Sequence, residues 1–170
     1  MRVVWGNQSH ANQQEGEIME RQDLIHYFGK DLFVPKLKSK TKDGILAELA
    51  ELFVKSRFVK SKKSVLDMLL KRETLGSTGI GKGVAIPHGR MTAAMDIRIA
   101  FGKSEKGVDF GAPDKKPVQL FFMVLAPTVE ENSRYLPILG KLVEVVHDKK
   151  NRARLMKVQT YEEFLSVFEG

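Results

Sequence analysis

Residues Gly76–Arg90 read GSTGIGKGVAIPHGR. Gly76, Gly79, Gly81 and Gly83 open the stretch, and glycine at this density frees φ and lets backbone N–H groups come close to a ligand. Val84, Ala85 and Ile86 then read as a short buried strand. Pro87 fixes its own φ and forces Ile86 into an extended conformation, while Gly89 frees the chain again. His88 therefore stands between a stiff peptide and a flexible one, which is how a chain presents one imidazole at the end of a strand. Such an imidazole can take and return a proton, a metal ion or a phosphoryl group.

The segments before this stretch are helical. Thr41 or Asp43 caps a helix whose apolar face is Ile45, Leu46, Leu49, Leu52 and Phe53. Ser64, with Asp67 at the capping-box position, starts a second helix, which carries Val65, Leu66, Met68, Leu69 and Leu70 inside. It runs through Lys71, Arg72 and Glu73, stops at Gly76, and delivers the chain into the glycines. Further upstream, Ile18 to Phe28 predicts a short helix. Leu32 to Leu37 predicts an extended segment that Pro35 confines to a sheet edge. Residues 1–17 are polar and without periodicity, and read as a disordered leader.

Downstream, Ile97, Ile99 and Phe101 alternate as a half-buried strand, and Gly107 to Pro117 is a polar loop. Val118 to Ala126, VQLFFMVLA, is a nearly unbroken apolar run suited to a central strand covered on both faces. A helix starting near Asn132 follows, its amphipathic pattern marked by Ile138, Leu139, Leu142, Val143, Val145 and Val146. A basic helix over residues 151–158 comes next, then a last one opened by the Thr160/Glu163 capping box. The expected fold is a single α/β domain over residues 18–170. It is a sandwich with a mixed sheet of about four to five strands and helices on both faces.

The 170 residues are 42% hydrophobic and hold no cysteine, which excludes disulfides and thiolate metal sites and permits a cytoplasmic protein. No apolar run is long enough to cross a bilayer, and the N-terminus lacks the apolar core of a signal peptide. The net charge of +7 suits acidic partners. The basic clusters are not interleaved with aromatics, so the charge gives no support for nucleic-acid binding.

Gly76 to Gly83 nearly spells a phosphate-binding P-loop. Gly83 stands where a magnesium-holding Ser or Thr would follow Lys82, and the order here is helix to strand rather than strand to helix. No metal is expected, since His10, His26 and His147 are not spaced as ligands with His88. No cofactor is expected either. Ser77 and Thr78 lie in no nucleophile elbow. Phosphoryl acceptance by His88 fits best. The Ser77 and Thr78 hydroxyls, the glycine amides, and the cations Arg72, Lys82 and Arg90 could solvate a dianion. Arg72 can also be read as a solvated charge at a helix end.

Arg72-Glu73, then Leu75-Gly76-Ser77-Thr78-Gly79-Ile80-Gly81 and Ile86-Pro87-His88-Gly89, resemble the IIA proteins of the bacterial phosphotransferase system. The likeness is to the fructose–mannitol class, and within it to the nitrogen-regulatory branch. It extends from about Ile18 to the C-terminus. The resemblance implies a mixed α/β sandwich and a histidine, matched by His88, that is phosphorylated by a histidine phosphocarrier protein. Arg72 matches the arginine placed near the phosphoryl group, and Ser77, Thr78 and Gly79 match the loop lining the site. Many relatives carry a second histidine where this chain has Tyr135, so Tyr135 and Arg90 stand as accessory positions. The expected function is a phosphoryl carrier whose state is read by regulated partner proteins. The absence of a fused transporter or IIB segment points the same way. A sugar-specific IIA passing phosphate to a IIB component is the alternative. From another class, so is a non-catalytic binding module with a vestigial site.

Overall fold

The computed structural model describes residues 18–169, so the leader expected over residues 1–17 lies outside the described residues. The short helix expected from Ile18 to Phe28 is a 3₁₀ helix over Arg21–Tyr27. Phe28 has already turned extended, with φ −82° and ψ 163°. Its ring packs at 4.8 Å from Phe164 and 4.7 Å from Phe168. A further 3₁₀ turn, Lys30–Leu32, leads into β1, Phe33–Val34.

Helices α1 (Lys42–Lys55) and α2 (Lys62–Glu73) follow. Thr41 Oγ1 accepts the Gly44 N–H at 3.1 Å and caps α1. The cap of α2 is Ser61 and not Ser64, because Ser61 Oγ accepts the Ser64 N–H at 3.1 Å. The helix thus begins earlier and includes Lys62 and Lys63, and Asp67 pairs with Lys63 at 2.6 Å instead of closing a capping box. Val65 and Leu69 are buried, whereas Leu70 is exposed.

The strands come next: β2 (Gly79–Gly81), β3 (Val84–Ala85), β4 (His88–Arg90), β5 (Arg98–Val108) and β6 (Val118–Ala126). The sheet order is β1-β5-β6-β3-β2, with β4 also paired to β6. β1 runs parallel to β5, and both β3 and β4 run parallel to β6. The β5–β6 and β2–β3 pairs are antiparallel. Six strands replace the expected four or five because β3 and β4 continue one line along β6 that Pro87 divides. A proline has no N–H for the ladder. Its carbonyl still accepts the Val124 N–H at 2.9 Å, so the line holds together.

The apolar run of β6 fills both layers by strand parity. Leu120, Phe122, Val124 and Ala126 join the C-terminal helices, while Phe121, Met123 and Leu125 join α1 and α2. The C-terminal layer holds α3 (Tyr135–His147), α4 (Lys149–Lys157) and α5 (Tyr161–Ser166). Phe164 centres it, with ring centroids 4.5 Å from Phe101 and 5.1 Å from Phe168. Helix α3 starts later than the expected Asn132. Ser133 is left-handed (φ 48°), which no helix interior accommodates. α4 starts earlier than expected, at Lys149, because Asp148 caps it through the Lys150 N–H at 2.7 Å. The Thr160/Glu163 box is present as expected. Buried Lys103 donates to the carbonyls of Met156 (3.0 Å) and Val158 (2.6 Å), a cation at the negative end of α4. Among the described residues no helix is long and apolar enough to cross a membrane.

Candidate functional site

His88 opens β4, just after the proline break, and pairs with Val124. Residues two apart on a strand share a face, so His88 and Arg90 point toward α3 and Gly89 points toward α2. A Cβ at Gly89 would lie 1.8 Å from Met68 Sδ. The missing side chain is what lets α2, with Arg72 in its last turn, sit directly on β4.

The His88 ring is half-buried, and its Nδ1 lies 2.6 Å from the Ile86 carbonyl oxygen. A carbonyl can only accept, so Nδ1 carries the proton and donates. The lone pair of the neutral ring is thereby placed on Nε2. Burial lowers the His88 pKa from 6.5 and the Arg72 charge lowers it further, while the Ile86 carbonyl and Glu73 oppose. The arrangement is a neutral imidazole with a fixed tautomer, held neutral by burial and by the charge of Arg72. A pH dependence follows. Any chemistry that uses the Nε2 lone pair is expected to be flat above neutrality and to fall on the acid side with a midpoint below 6.5. The same shift makes this group's contribution to folding stability decline as pH drops from 6.5 through the lowered folded value, since the unfolded chain then binds the proton first. Histidine proton resonances followed across pH 4.5–8 check the midpoint; one above ~6.5, the unperturbed value, contradicts it.

Arg72 Nη1 donates to the Gly76 carbonyl at 3.0 Å, and its charge is felt by both His88 and Tyr135. The next residue, Glu73, is nearly buried, and its carboxylate organises the loop. It accepts the Thr78 N–H (3.2 Å) and the Thr78 hydroxyl, and pairs with Lys42 Nζ at 2.6 Å. Ser77 Oγ donates to the Phe110 carbonyl at 2.7 Å and accepts the Gly79 N–H at 3.0 Å. Gly79 passes so close to Ala112 that a Cβ would meet Ala112 Cβ at 2.9 Å. Ser77, Thr78 and Gly79 are thus one pinned loop beside the strand that carries the histidine, with the Thr78 carbonyl bonded to the Ile86 N–H at 3.0 Å.

Gly81, Gly83 and Lys82 do not reach this place. Gly81 (φ 85°), Lys82 (φ 57°) and Gly83 (φ 76°) make the turn between β2 and β3. The Gly83 carbonyl bonds Gln119 and Leu120, whereas His88 lies at Val124. At about 3.3 Å per residue that is roughly 13 Å or more along β6. Lys82 Nζ instead lies 3.2 Å from His147 Nδ1.

Tyr135 opens α3 and is buried, its ring centroid 6.2 Å from that of His88. The Arg90 guanidinium stacks on the phenol ring at 4.5 Å. Burial pushes the Tyr135 hydroxyl up to about 12. Glu130 ties the corner together, accepting the Tyr135 N–H at 2.9 Å and facing Arg90 at 3.8 Å. Sequence reading gave no role to Glu73 or Glu130. Glu73 had a signal, since a carboxylate in the last turn of a helix opposes the dipole. Among the described residues no group of three or more His, Cys, Asp or Glu could hold a metal ion.

The chain is 31% identical over 137 residues to the nitrogen regulatory protein of Bradyrhizobium diazoefficiens, covering 81% of this chain and 88% of that one. It is 30% identical over 131 residues to the fructose-specific EIIABC component of Bacillus subtilis, covering 77% of this chain but only 20% of that longer protein. The crystal structure of nitrogen regulatory protein IIA-Ntr from Neisseria meningitidis superimposes with a TM-score of 0.80 at 34% identity, covering 86% of this chain and 99% of that one. The family described as phosphoenolpyruvate-dependent sugar phosphotransferase system, EIIA 2, matches residues 26–170. The chain belongs to that family.

Proposed function

We propose that this protein carries a phosphoryl group on His88 Nε2, received from a histidine phosphocarrier protein in the cytoplasm, and that its phosphorylation state is read by partner proteins. The observation that carries the reading is the Nδ1–H···O=C bond to Ile86, which reserves Nε2 for chemistry. In the transfer, the Nε2 lone pair attacks phosphorus, a new N–P bond forms, and the donor's P–N bond breaks with its electron pair returning to the donor imidazole. The His88 ring keeps its Nδ1 proton and gains positive charge, which the Ile86 carbonyl stabilises. Arg72, released from Gly76, and Arg90 face the developing dianion as charge-assisted donors. Ser77 and Thr78 spend their hydroxyl protons on Phe110 and Glu73, so they serve by holding the loop's shape with Gly79.

Likeness to the nitrogen regulatory proteins favours signalling. Likeness to the fructose-specific component keeps a second reading in view, delivery of the phosphate to a IIB component. Incubation with phosphoenolpyruvate, enzyme I and the phosphocarrier tests the first step. One acid-labile, base-stable phosphoryl group per chain is expected. Chase with fructose- and mannitol-type IIB proteins separates the two readings, and no labelling at all returns the chain to a non-catalytic module.

Tyr135 acts by packing in this reading. Tyr135→Phe keeps the ring under Arg90 and is expected to change the single-turnover labelling rate less than about twofold, since the lost hydroxyl contributes at most a weak bond. An imidazole at 135 would sit beside Arg90 and Arg72, whose charges hold it neutral at pH 7. Tyr135→His is therefore expected to be no faster than wild type between pH 6 and 8. A tenfold acceleration, about 1.4 kcal/mol of barrier, would show that a charged group at this position assists transfer.

A further inference from the structure

A lysine-lined groove lies at the other end of the sheet from His88. β1 pairs with β5 only at Phe33–Phe101 and Val34–Gly102, and the Leu37 N–H reaches the Lys103 carbonyl at 2.8 Å. Beyond that point the two segments part. The Glu48 carboxylate takes the N–H groups of Lys38 (2.9 Å) and Ser39 (2.9 Å), and an extended β1 would have offered the Ser39 one to β5. Among the described residues, β5 from Ser104 to Gly107 has no strand on this side. Between the two walls is a cavity of about 500 Å³.

The walls are chemically one-sided. In the run Lys36-Leu37-Lys38-Ser39-Lys40 the three lysines are exposed, whereas Leu37 is buried against Gly102. Lys106 lines the opposite wall. Among the described residues none of these four ammonium groups has an ion-pair partner. Glu105 is the one carboxylate of the lining. Lysines on an open edge repel a second copy of the same edge, because the charges would face one another. They do not repel an acidic strand.

We propose that this groove takes an extended acidic segment of a partner protein, added as a strand to the free edge of β5 between Lys106 and the lysines of residues 36–40. The backbone edge would supply hydrogen bonds and the lysines the selection for carboxylates. Ser104 lies five residues along β5 from Ile99, the residue level with His88 through Val124. That is roughly 17 Å at about 3.3 Å per residue, so a strand in the groove leaves His88 open.

The test uses the full chain and a fluorescein-labelled ten-residue peptide of alternating Glu and Val, read by fluorescence anisotropy at 50 and 300 mM salt. Binding that weakens with salt is expected. Lys38→Glu with Lys106→Glu should weaken it tenfold or more. Lys60→Glu with Lys149→Glu, the same change in net charge elsewhere, should alter it less than twofold. The same peptide N-methylated on alternate amides keeps the charge but loses strand pairing, and should bind at least fivefold more weakly. Equal binding of the methylated peptide, or equal loss in the control variant, would mean diffuse charge attraction and overturn the proposal. So would capture of anionic vesicles or an RNA oligonucleotide through Lys38 and Lys106 with no peptide binding. Circular dichroism melts confirm that each variant is folded.

Discussion

His88→Ala is expected to abolish phosphoryl labelling while leaving the fold in place. The ring is only half-buried, and its single hydrogen bond is to its own backbone at Ile86. Removing it frees one carbonyl and costs about 1 kcal/mol at most, a small shift in melting temperature. The chemical loss is total, because no neighbour can replace the nucleophile. Among the described residues, His26 and His147 lie elsewhere, His147 beside Lys82 at the far turn. Substituting either with glutamine should leave labelling intact. The check is mass spectrometry of the intact protein after exposure to phosphorylated carrier. A persisting phosphoryl group in the His88 variant would move the acceptor to another residue.

Glu73→Ala is expected to have the largest effect on stability. The carboxylate is 6% exposed and serves the Thr78 N–H, the Thr78 hydroxyl and the Lys42 ammonium together. Removing it leaves the Thr78 N–H and hydroxyl without this partner, at about 1–3 kcal/mol each, and takes the counter-charge from Lys42, whose part-exposed ammonium keeps the Phe110 carbonyl at 3.3 Å. For a chain of this size each kcal/mol moves the melting temperature by about 2–4 °C, so a fall of roughly 10 °C is expected. The loop of Ser77, Thr78 and Gly79 would loosen, and Arg72, adjacent to Glu73 in sequence, would lose its fixed approach. Labelling should slow even at temperatures where the variant is folded. Glu73→Gln retains an acceptor for Thr78 and should fall between the two. A melting temperature within 2 °C of wild type in the alanine variant would show that the carboxylate is not what closes the loop.

The sequence was most legible where chemistry and periodicity coincide. Val118–Ala126 could only be a doubly covered strand, and it forms over those residues. Thr160 with Glu163 announced a helix start through local bonds alone. The stretch Ile86-Pro87-His88-Gly89 showed where the imidazole would be. It did not show that Pro87 splits one line of pairing into two strands, since that depends on the register against β6. The cap of α2 was misplaced because two serines three residues apart offer the same local signal, and the preceding backbone selects Ser61. Lys82 looked close to His88 in the chain, yet the turn between β2 and β3 carries it away. Glu73 and Glu130 each pair with a cation distant in sequence, Lys42 and Arg90, and only the fold shows that half of their roles.

The bond from Nδ1 to Ile86 has a consequence for traffic. If His88 carries the phosphoryl group as proposed, one ring nitrogen tied to the backbone leaves it a single usable atom, and whatever gives to it and whatever takes from it must come through the same door. Donor and recipient can then never be seated together. They exclude each other in space and alternate in time. Between visits the protein alone holds the record of the last one.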